Sequence, residues 1–184
     1  MTALLDQFIP HPDIRERHEI VIDAPALRVM ETARGFDIQS LRTVRAIFWL
    51  RAKVLGARAV ARRPQGLIAD MLALGWGRLA EQPGRYFVAG AVCEPWNAEV
   101  VFRPVPATEF ASFAEGDAVK IAWTLEAEPI SDARTRFSTE TRVAATSDLA
   151  RAKFRRYWRI FGLGIVLIRL LLLRAVRGQV RSLR

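Results

Sequence analysis

The chain has 184 residues, 51% of them hydrophobic and 26% charged, which is too apolar for a disordered protein and typical of a compact globular one. One cysteine and two histidines exclude an internal disulfide and the usual clusters of zinc ligands, and we expect no cofactor. The net charge of +9 arises in residues 148–184, because residues 1–147 hold equal numbers of basic and acidic side chains. Such a basic end on a neutral body fits an anionic membrane surface or an acidic partner as well as it fits nucleic acid.

The N-terminal part of the chain predicts one strand followed by helices. Residues 1–13 lack the basic and apolar regions of a secretory signal, so we expect a cytoplasmic protein. Residues 18–23 alternate as a strand does, with His18 on the same face as two isoleucines. Apolar residues then recur at helical spacing from Ser40 to Gly56, and a shorter helix is predicted over 67–74.

From Trp76 the apolar period changes to two, which predicts about six antiparallel strands separated by turns rich in proline and glycine. The last two strands form a hairpin about Ser131-Asp132, which places Glu128 opposite Arg136 on the outward side. We expect this outward face to be solvated and the inward face to be buried.

Residues 148–184 contain no proline and predict a long terminal helix. The sheet must bury its apolar face, and this helix is the only predicted element large enough to lie across it. We therefore predict a single α+β domain over residues 1–184, with a core over 15–177 and a basic tail over 178–184.

Three segments carry a resemblance to a known superfamily: Phe110–Trp123, Arg134–Val143 and Ala152–Trp158. Together with the element order they resemble an uncharacterised bacterial group of the START-like, or SRPBCC, superfamily, over roughly residues 16–177. The resemblance implies the helix-grip fold, a curved antiparallel sheet wrapped around a long C-terminal helix, with short helices after the first strand. It also implies an internal apolar cavity, but no particular reaction, because members include lipid carriers and polyketide cyclases.

The candidate ligand residues are the inward positions of three strands and the facing side of the helix. A solid apolar core is the alternative, because any half-buried sheet shows the same alternation. The candidates are Tyr86, Val88, Val92, Ile121, Trp123, Leu125, Phe137, Thr139, Thr141, Phe154, Tyr157 and Trp158.

No catalytic residue is predicted. His18, Glu94 and Glu140 are the acid or base candidates that polyketide-cyclase relatives would suggest, but nothing in the sequence pairs them. Glu140 falls on the outward face, Glu94 lies in a turn, and Cys93 has no base beside it.

The terminal helix carries a second candidate surface. On a helical wheel its arginines fall within an arc of about 140° opposite an apolar stripe, which is typical of a helix that lies on a membrane. The alternative is that the stripe packs on the sheet and the arginines are solvated. A membrane span is disfavoured, because Arg169 sits near the middle of the apolar stretch. The arginines are Arg169, Arg174, Arg177, Arg181 and Arg184.

We therefore predict a protein that binds a small hydrophobic or amphipathic ligand, lipid or polyketide-like, between the sheet and the terminal helix. The alternatives are a cyclase or dehydratase that uses the same cavity, and a membrane-surface adaptor anchored by the basic helix. Nucleic acid is disfavoured as a partner, because the aromatic residues occupy predicted core positions.

Overall fold

The computed structural model describes residues 4–57 and 64–182, which form one antiparallel sheet and a set of helices. The long C-terminal helix contacts three strands of the sheet. The architecture is therefore the predicted α+β arrangement of an antiparallel sheet against a long C-terminal helix. The elements are β1 (Ile14–Ile22), α1 (Ala26–Gly35), α2 (Arg42–Leu55), α3 (Leu67–Ala73), β2 (Gly77–Gln82), β3 (Tyr86–Cys93), α4 (Ala107–Phe110), β4 (Val119–Ser131), β5 (Arg134–Ala145) and α5 (Asp148–Ser182).

The strand order in the sheet is β1-β5-β4-β3-β2, and every neighbouring pair is antiparallel. The hairpin of β4 and β5 forms the centre, as the alternation of the two segments predicts. Glu128 pairs with Arg136 across the hairpin, with 2.8 Å between Oε2 and Nη1. The predicted cross-strand ion pair is confirmed.

The number of strands is lower than predicted. The apolar period predicts about six strands from Trp76 onward, whereas the structure forms four in the described chain, β2 to β5. Between β3 and β4 the described chain has only the short helix α4 and one bridge, Val92 to Arg103. Three prolines in this segment lack the N–H that a strand ladder needs, so the segment crosses the surface as an irregular connection.

The outward face is partly exposed at the hairpin end, at Glu128 and Arg136, but over the rest of β4 and β5 the prediction of a solvated outward face is wrong. The outward side chains of β3 and β4 pack under the N-terminal residues and under α4, because these bring their own apolar side chains to the sheet. Phe8 and Phe110 meet edge to face above it, with ring centroids 6.3 Å apart. Buried members of this outer cluster are Leu5, Phe8, Ile9, Leu79, Val88, Val92, Val105, Phe110, Ala118 and Ala122.

An ion pair is buried beneath the same cover. The side chains of Glu140 and Arg142 are each under 4% exposed and lie 2.7 Å apart, Oε1 to Nε. Arg142 also pairs with Asp6 at 2.6 Å and donates to the Ile9 carbonyl at 2.9 Å, which ties the N-terminal segment to the sheet. Burial by itself raises the pKa of Glu140, but hydrogen bonds and the charges of Arg142 and Arg15 outweigh it and lower that pKa below its ordinary value.

Two predicted helix ends coincide with glycines. Gly56 ends α2 in the left-handed conformation at φ 71°, as predicted. Gly75 follows α3 at φ 103°, and its backbone lies against the Phe102 carbonyl. A β-carbon at Gly75 would stand 2.3 Å from that oxygen, so the position requires glycine for two separate reasons.

We expect Gly75→Ala to destabilise the protein by about 2 kcal/mol or more, because the substitution adds both backbone strain and a clash with a backbone atom. Urea unfolding followed by circular dichroism measures the change. Gly116→Ala is the matched control, because Gly116 also has a positive φ of 70° but its β-carbon would meet nothing within 4 Å. Equal losses in the two variants would show that strain alone sets the cost.

Candidate functional site

The inner face of the sheet, which faces α5, carries two apolar clusters at its two ends. The first cluster brings strand residues against the aromatic first half of α5. The second brings strand residues against the last turns of α5. Buried members of the first are Cys93, Val119, Val143, Phe154 and Tyr157, and those of the second include Ile22, Phe87, Trp123, Leu125, Phe137, Leu172, Leu173, Val176 and Val180.

Between the two clusters, strands β1 and β5 carry polar residues on the inner face. Strand β1 alternates strictly in exposure, so Glu16 and His18 lie on the same side as Ile14 and Ile20. Ile14 packs with the first cluster and Ile20 with the second, which places the two polar residues between them. The strand register sets Glu16 opposite Thr141 and His18 opposite Thr139.

Arg169 of α5 faces this polar row. It precedes Leu173, Val176 and Val180 by four, seven and eleven residues, a spacing that puts it on the same face of the helix as these buried side chains. The helical wheel predicts that Arg169 lies with the solvated arginines, and this prediction is wrong. Burial lowers the pKa of Arg169 to about 10, and the nearby Glu16 carboxylate opposes that shift. Arg169 therefore remains a cation at neutral pH.

Three buried polar atoms of this row have no hydrogen-bond partner among the described residues: His18 Nε2, Thr141 Oγ1 and Arg169 Nε. The nearest carboxylate oxygen to His18, Glu16 Oε2, lies 3.6 Å from Nε2, too far for a hydrogen bond. Thr139, by contrast, donates to the Thr124 carbonyl at 2.9 Å. Buried polar atoms are rarely left unpaired, so this group has capacity for a further partner.

The chemistry of these atoms points to an acceptor. Arg169 Nε can only donate, the threonine hydroxyl can donate, and a histidine nitrogen donates in one of its protonation states. A carboxylate, whose two oxygens both accept hydrogen bonds, could satisfy all three, whereas a carbonyl oxygen with its two lone pairs could satisfy two. The neighbouring Glu16 carboxylate and His18 imidazole are also groups that could transfer a proton. A cyclase or dehydratase, the enzyme alternative, would need such acid–base groups.

The remaining acid, base and nucleophile candidates lie elsewhere. Glu140 is on the outward face, as predicted, but it is buried in the ion pair with Arg142. Glu94 accepts a hydrogen bond from the Asn97 side chain at 3.2 Å in a turn. Burial raises the pKa of the Cys93 thiol to about 12, so the nucleophilic thiolate is scarce at neutral pH.

The predicted inward positions of β4, β5 and α5 lie on the inner face, and those of β3 do not. Val88 pairs with Thr124 on the outer side, whereas its neighbour Ala89 pairs with Trp123 on the inner side. The prediction for β3 is thus shifted by one residue. The inner positions are Ile121, Trp123, Leu125, Phe137, Thr139, Thr141, Phe154, Tyr157 and Trp158, and the outer ones are Tyr86, Val88 and Val92.

A cleft of about 280 Å³ opens beside the first cluster, between α2, α5 and the connection after β3. Tyr157 and Phe161 form its inner wall, and Leu55, Trp96 and Ile160 border it. Arg51 of α2 donates to the Tyr157 hydroxyl at 3.4 Å and to the Pro95 carbonyl at 3.1 Å. These bonds tie α2 to α5 at the cleft.

The arginines of the predicted basic stripe of α5 do not all lie on one exposed face. Arg174 and Arg181 are exposed and Arg177 is half-buried, whereas Arg169 faces the sheet and Arg184 lies outside the described residues. The predicted tail from residue 178 is helical through Ser182, with Val180 buried in the second cluster. In residues 4–57 and 64–182, no helix is long and apolar enough to cross a membrane.

Sequence reasoning missed Glu16 and Arg169 as members of the inner face. If the predicted strand over 18–23 is extended two residues before His18, its alternation places Glu16 on the same face as His18. Arg169 lies at the edge of the predicted polar arc, and its spacing from Val176 and Val180 is the signal that could have placed it.

No protein-family model matches the chain, and no curated protein is significantly similar to it in sequence. Similar solved structures include a conserved protein from Geobacillus kaustophilus, at 11% identity over 92% of this chain and 96% of that one, with a TM-score of 0.44. An aromatase/cyclase from Streptomyces sp. R1128 is 15% identical over 93% and 96%, with a TM-score of 0.35. A protein from Thermus thermophilus is 13% identical over 92% and 98%, with a TM-score of 0.32. At TM-scores below 0.5, none of these likenesses bears on ligand, activity or family.

Proposed function

We propose that the protein binds a small amphipathic molecule between the inner face of the sheet and α5. One observation carries the proposal: three buried polar atoms without hydrogen-bond partners in the described chain lie on the stretch of the sheet–helix interface between the two apolar clusters. Ligand sites in proteins are mostly apolar with a few convergent polar groups that fix orientation, and the inner face has that composition. The resemblance of the sequence to START-like proteins agrees with the same function.

The polar end of the ligand is an anion or another strong acceptor. Arg169 is charged and only partly compensated, since the Glu16 carboxylate is near but forms no hydrogen bond to it in the described structure. A charge-assisted hydrogen bond from Arg169, shared with Thr141 and His18, would stabilise a carboxylate there. The apolar part of the ligand lies along the aromatic residues of the first cluster, towards the cleft beside Tyr157 and Phe161.

Three amphiphiles with the same ten-carbon chain test the proposal: decanoate, decanol and decylammonium. Isothermal titration calorimetry below the micelle-forming concentrations gives the three affinities. We expect decanoate to bind about tenfold or more tightly than decanol, because only the anion gains the charge-assisted bond to Arg169, and decylammonium to bind least.

Equal affinities for decanoate and decylammonium would overturn the preference for an anion. An absence of binding by all three amphiphiles would contradict the proposal for ligands with a ten-carbon alkyl chain. Native mass spectrometry of the gently purified protein, followed by organic extraction, then identifies the ligand that the protein carries from its own cell.

A further inference from the structure

Two helices that contact each other expose apolar side chains on the surface of the protein. The exposed apolar surface consists of Phe48, Trp49, Leu50 and Val54 of α2 with Ile160, Leu163 and Leu167 of α5. Leu163 is 86% exposed and Trp49 is 61% exposed, which is far from the burial usual for such large side chains. The helices touch near this surface, where the Gly164 backbone lies against Ile47.

The same two helices are strongly basic. Helix α2 holds four basic residues, Arg42, Arg45, Arg51 and Lys53, and no acidic one. In α5 the only acidic residue is Asp148, in the first turn. The Lys53 ammonium lies 5.0 Å from the centre of the Trp49 ring, so apolar and cationic groups are interleaved rather than separated.

We propose that the exposed apolar surface docks on an anionic lipid bilayer, with its side chains in the interfacial region and the arginines and lysines on lipid headgroups. Helices with exposed apolar side chains and a basic face lie in the plane of a membrane interface, and aromatic residues favour that depth. Each basic residue near an anionic surface adds to the attraction.

Charge argues against a second copy of this chain as the occupant. Two such surfaces would bring like charges together, because α2 and α5 hold cations almost without anions. Of the arginine stripe at the end of α5, the exposed Arg174 follows Leu167 by seven residues and so lies on the same face of the helix, whereas Arg169 is turned inward. The docking surface adjoins the cleft beside Tyr157, since Leu55 of α2 and Ile160 of α5 line that cleft. Docking would therefore hold the cleft near the lipid.

Vesicle co-sedimentation tests the inference. The wild-type protein is mixed with vesicles of phosphatidylcholine alone or with about 30% phosphatidylglycerol added. We expect binding to the anionic vesicles, much weaker binding to the neutral ones, and a decrease as salt is raised to about 0.5 M. Leu163→Glu and Trp49→Glu each should lower the partition coefficient about tenfold, because each puts a carboxylate into the interface.

Ile130→Glu is the matched control, because it makes the same charge change at a 46% exposed residue in the hairpin of β4 and β5. It should sediment with vesicles like the wild type. The inference is overturned if wild type does not bind anionic vesicles, or if Leu163→Glu binds as well as Ile130→Glu. It is also overturned if light scattering shows a wild-type dimer that Leu163→Glu converts to a monomer, since a second copy would then be the occupant. The decanoate titration reports separately on the proposed ligand site.

Discussion

Replacing Arg169 with methionine is expected to make the ligand-free protein more stable and a worse binder of anionic amphiphiles. The Arg169 side chain is half-buried, its Nε is shielded from solvent and has no partner among the described residues, and burial depresses its pKa to about 10. A folded-state pKa below the unfolded value means that the charge costs stability throughout the range below about pH 10. Methionine keeps much of the volume and removes this cost.

We expect Arg169→Met to raise the free energy of unfolding by about 2 kcal/mol, or roughly 4–8 °C in melting temperature. Decanoate affinity should fall about tenfold or more, while decanol affinity stays within about twofold. Differential scanning calorimetry and the titration measure the two effects on the same samples.

Arg174→Met is the control for this pair of measurements. Arg174 is exposed on the same helix, so its replacement should change neither stability nor affinity appreciably. A loss of stability in Arg169→Met would show that Arg169 has a structural partner in solution, and it would contradict the assignment of Arg169 to a ligand. The opposite signs of the two expected effects separate a binding role from a structural one.

Removing one partner of the buried ion pair on the outer face is expected to have the largest destabilising effect. Arg142→Met leaves the Glu140 carboxylate buried without its closest partner and detaches the Ile9 carbonyl and Asp6. We expect a loss of about 3–5 kcal/mol, measured by urea unfolding. The pair itself need not be stabilising, since its burial costs solvation energy.

The double variant Glu140→Leu/Arg142→Met should therefore recover much of the loss, because no unpaired buried charge remains. If the double variant is less stable than Arg142→Met alone, the two side chains do not act as a pair.

Unfolding at several pH values gives a second check on the buried ion pair. The pKa of Glu140 is lowered in the folded protein, so the contribution of its ionised form is present at neutral pH and is lost as pH falls through that lowered pKa. Glu140→Gln should flatten the acid limb of the stability curve.

The parts of the fold that the sequence predicts correctly are those whose two faces differ in polarity. The outward positions of β4 and β5 carry Glu126, Glu128 and Arg136, so the alternation defines an inner face without ambiguity. In β3 every residue after Tyr86 is apolar or glycine, and both faces are buried. With no polar residue to set its register, the prediction for β3 is shifted by one residue.

Long-range packing accounts for the other differences. Residues 4–9 cover the outer face of strands more than seventy positions away, and local periodicity carries no information about such a contact. The same long-range contact buries Glu140 and Arg142, which stand at outward positions of β5 and which the sequence pattern alone predicts to be solvated. Arg169 stands at the boundary of two arcs on the helical wheel, where only the packing of α5 on the sheet decides which way a side chain turns.

The most direct test of the ligand site is the Arg169 Nε–H resonance in a proton–nitrogen correlation spectrum, assigned by its absence in Arg169→Met. This N–H is buried and has no partner among the described residues, so a ligand acceptor that reaches it will change its chemical shift. We predict that added decanoate shifts this resonance along a saturating binding curve and that decanol does not. A resonance that stays unchanged while decanoate binds to saturation would place the ligand elsewhere and contradict the account.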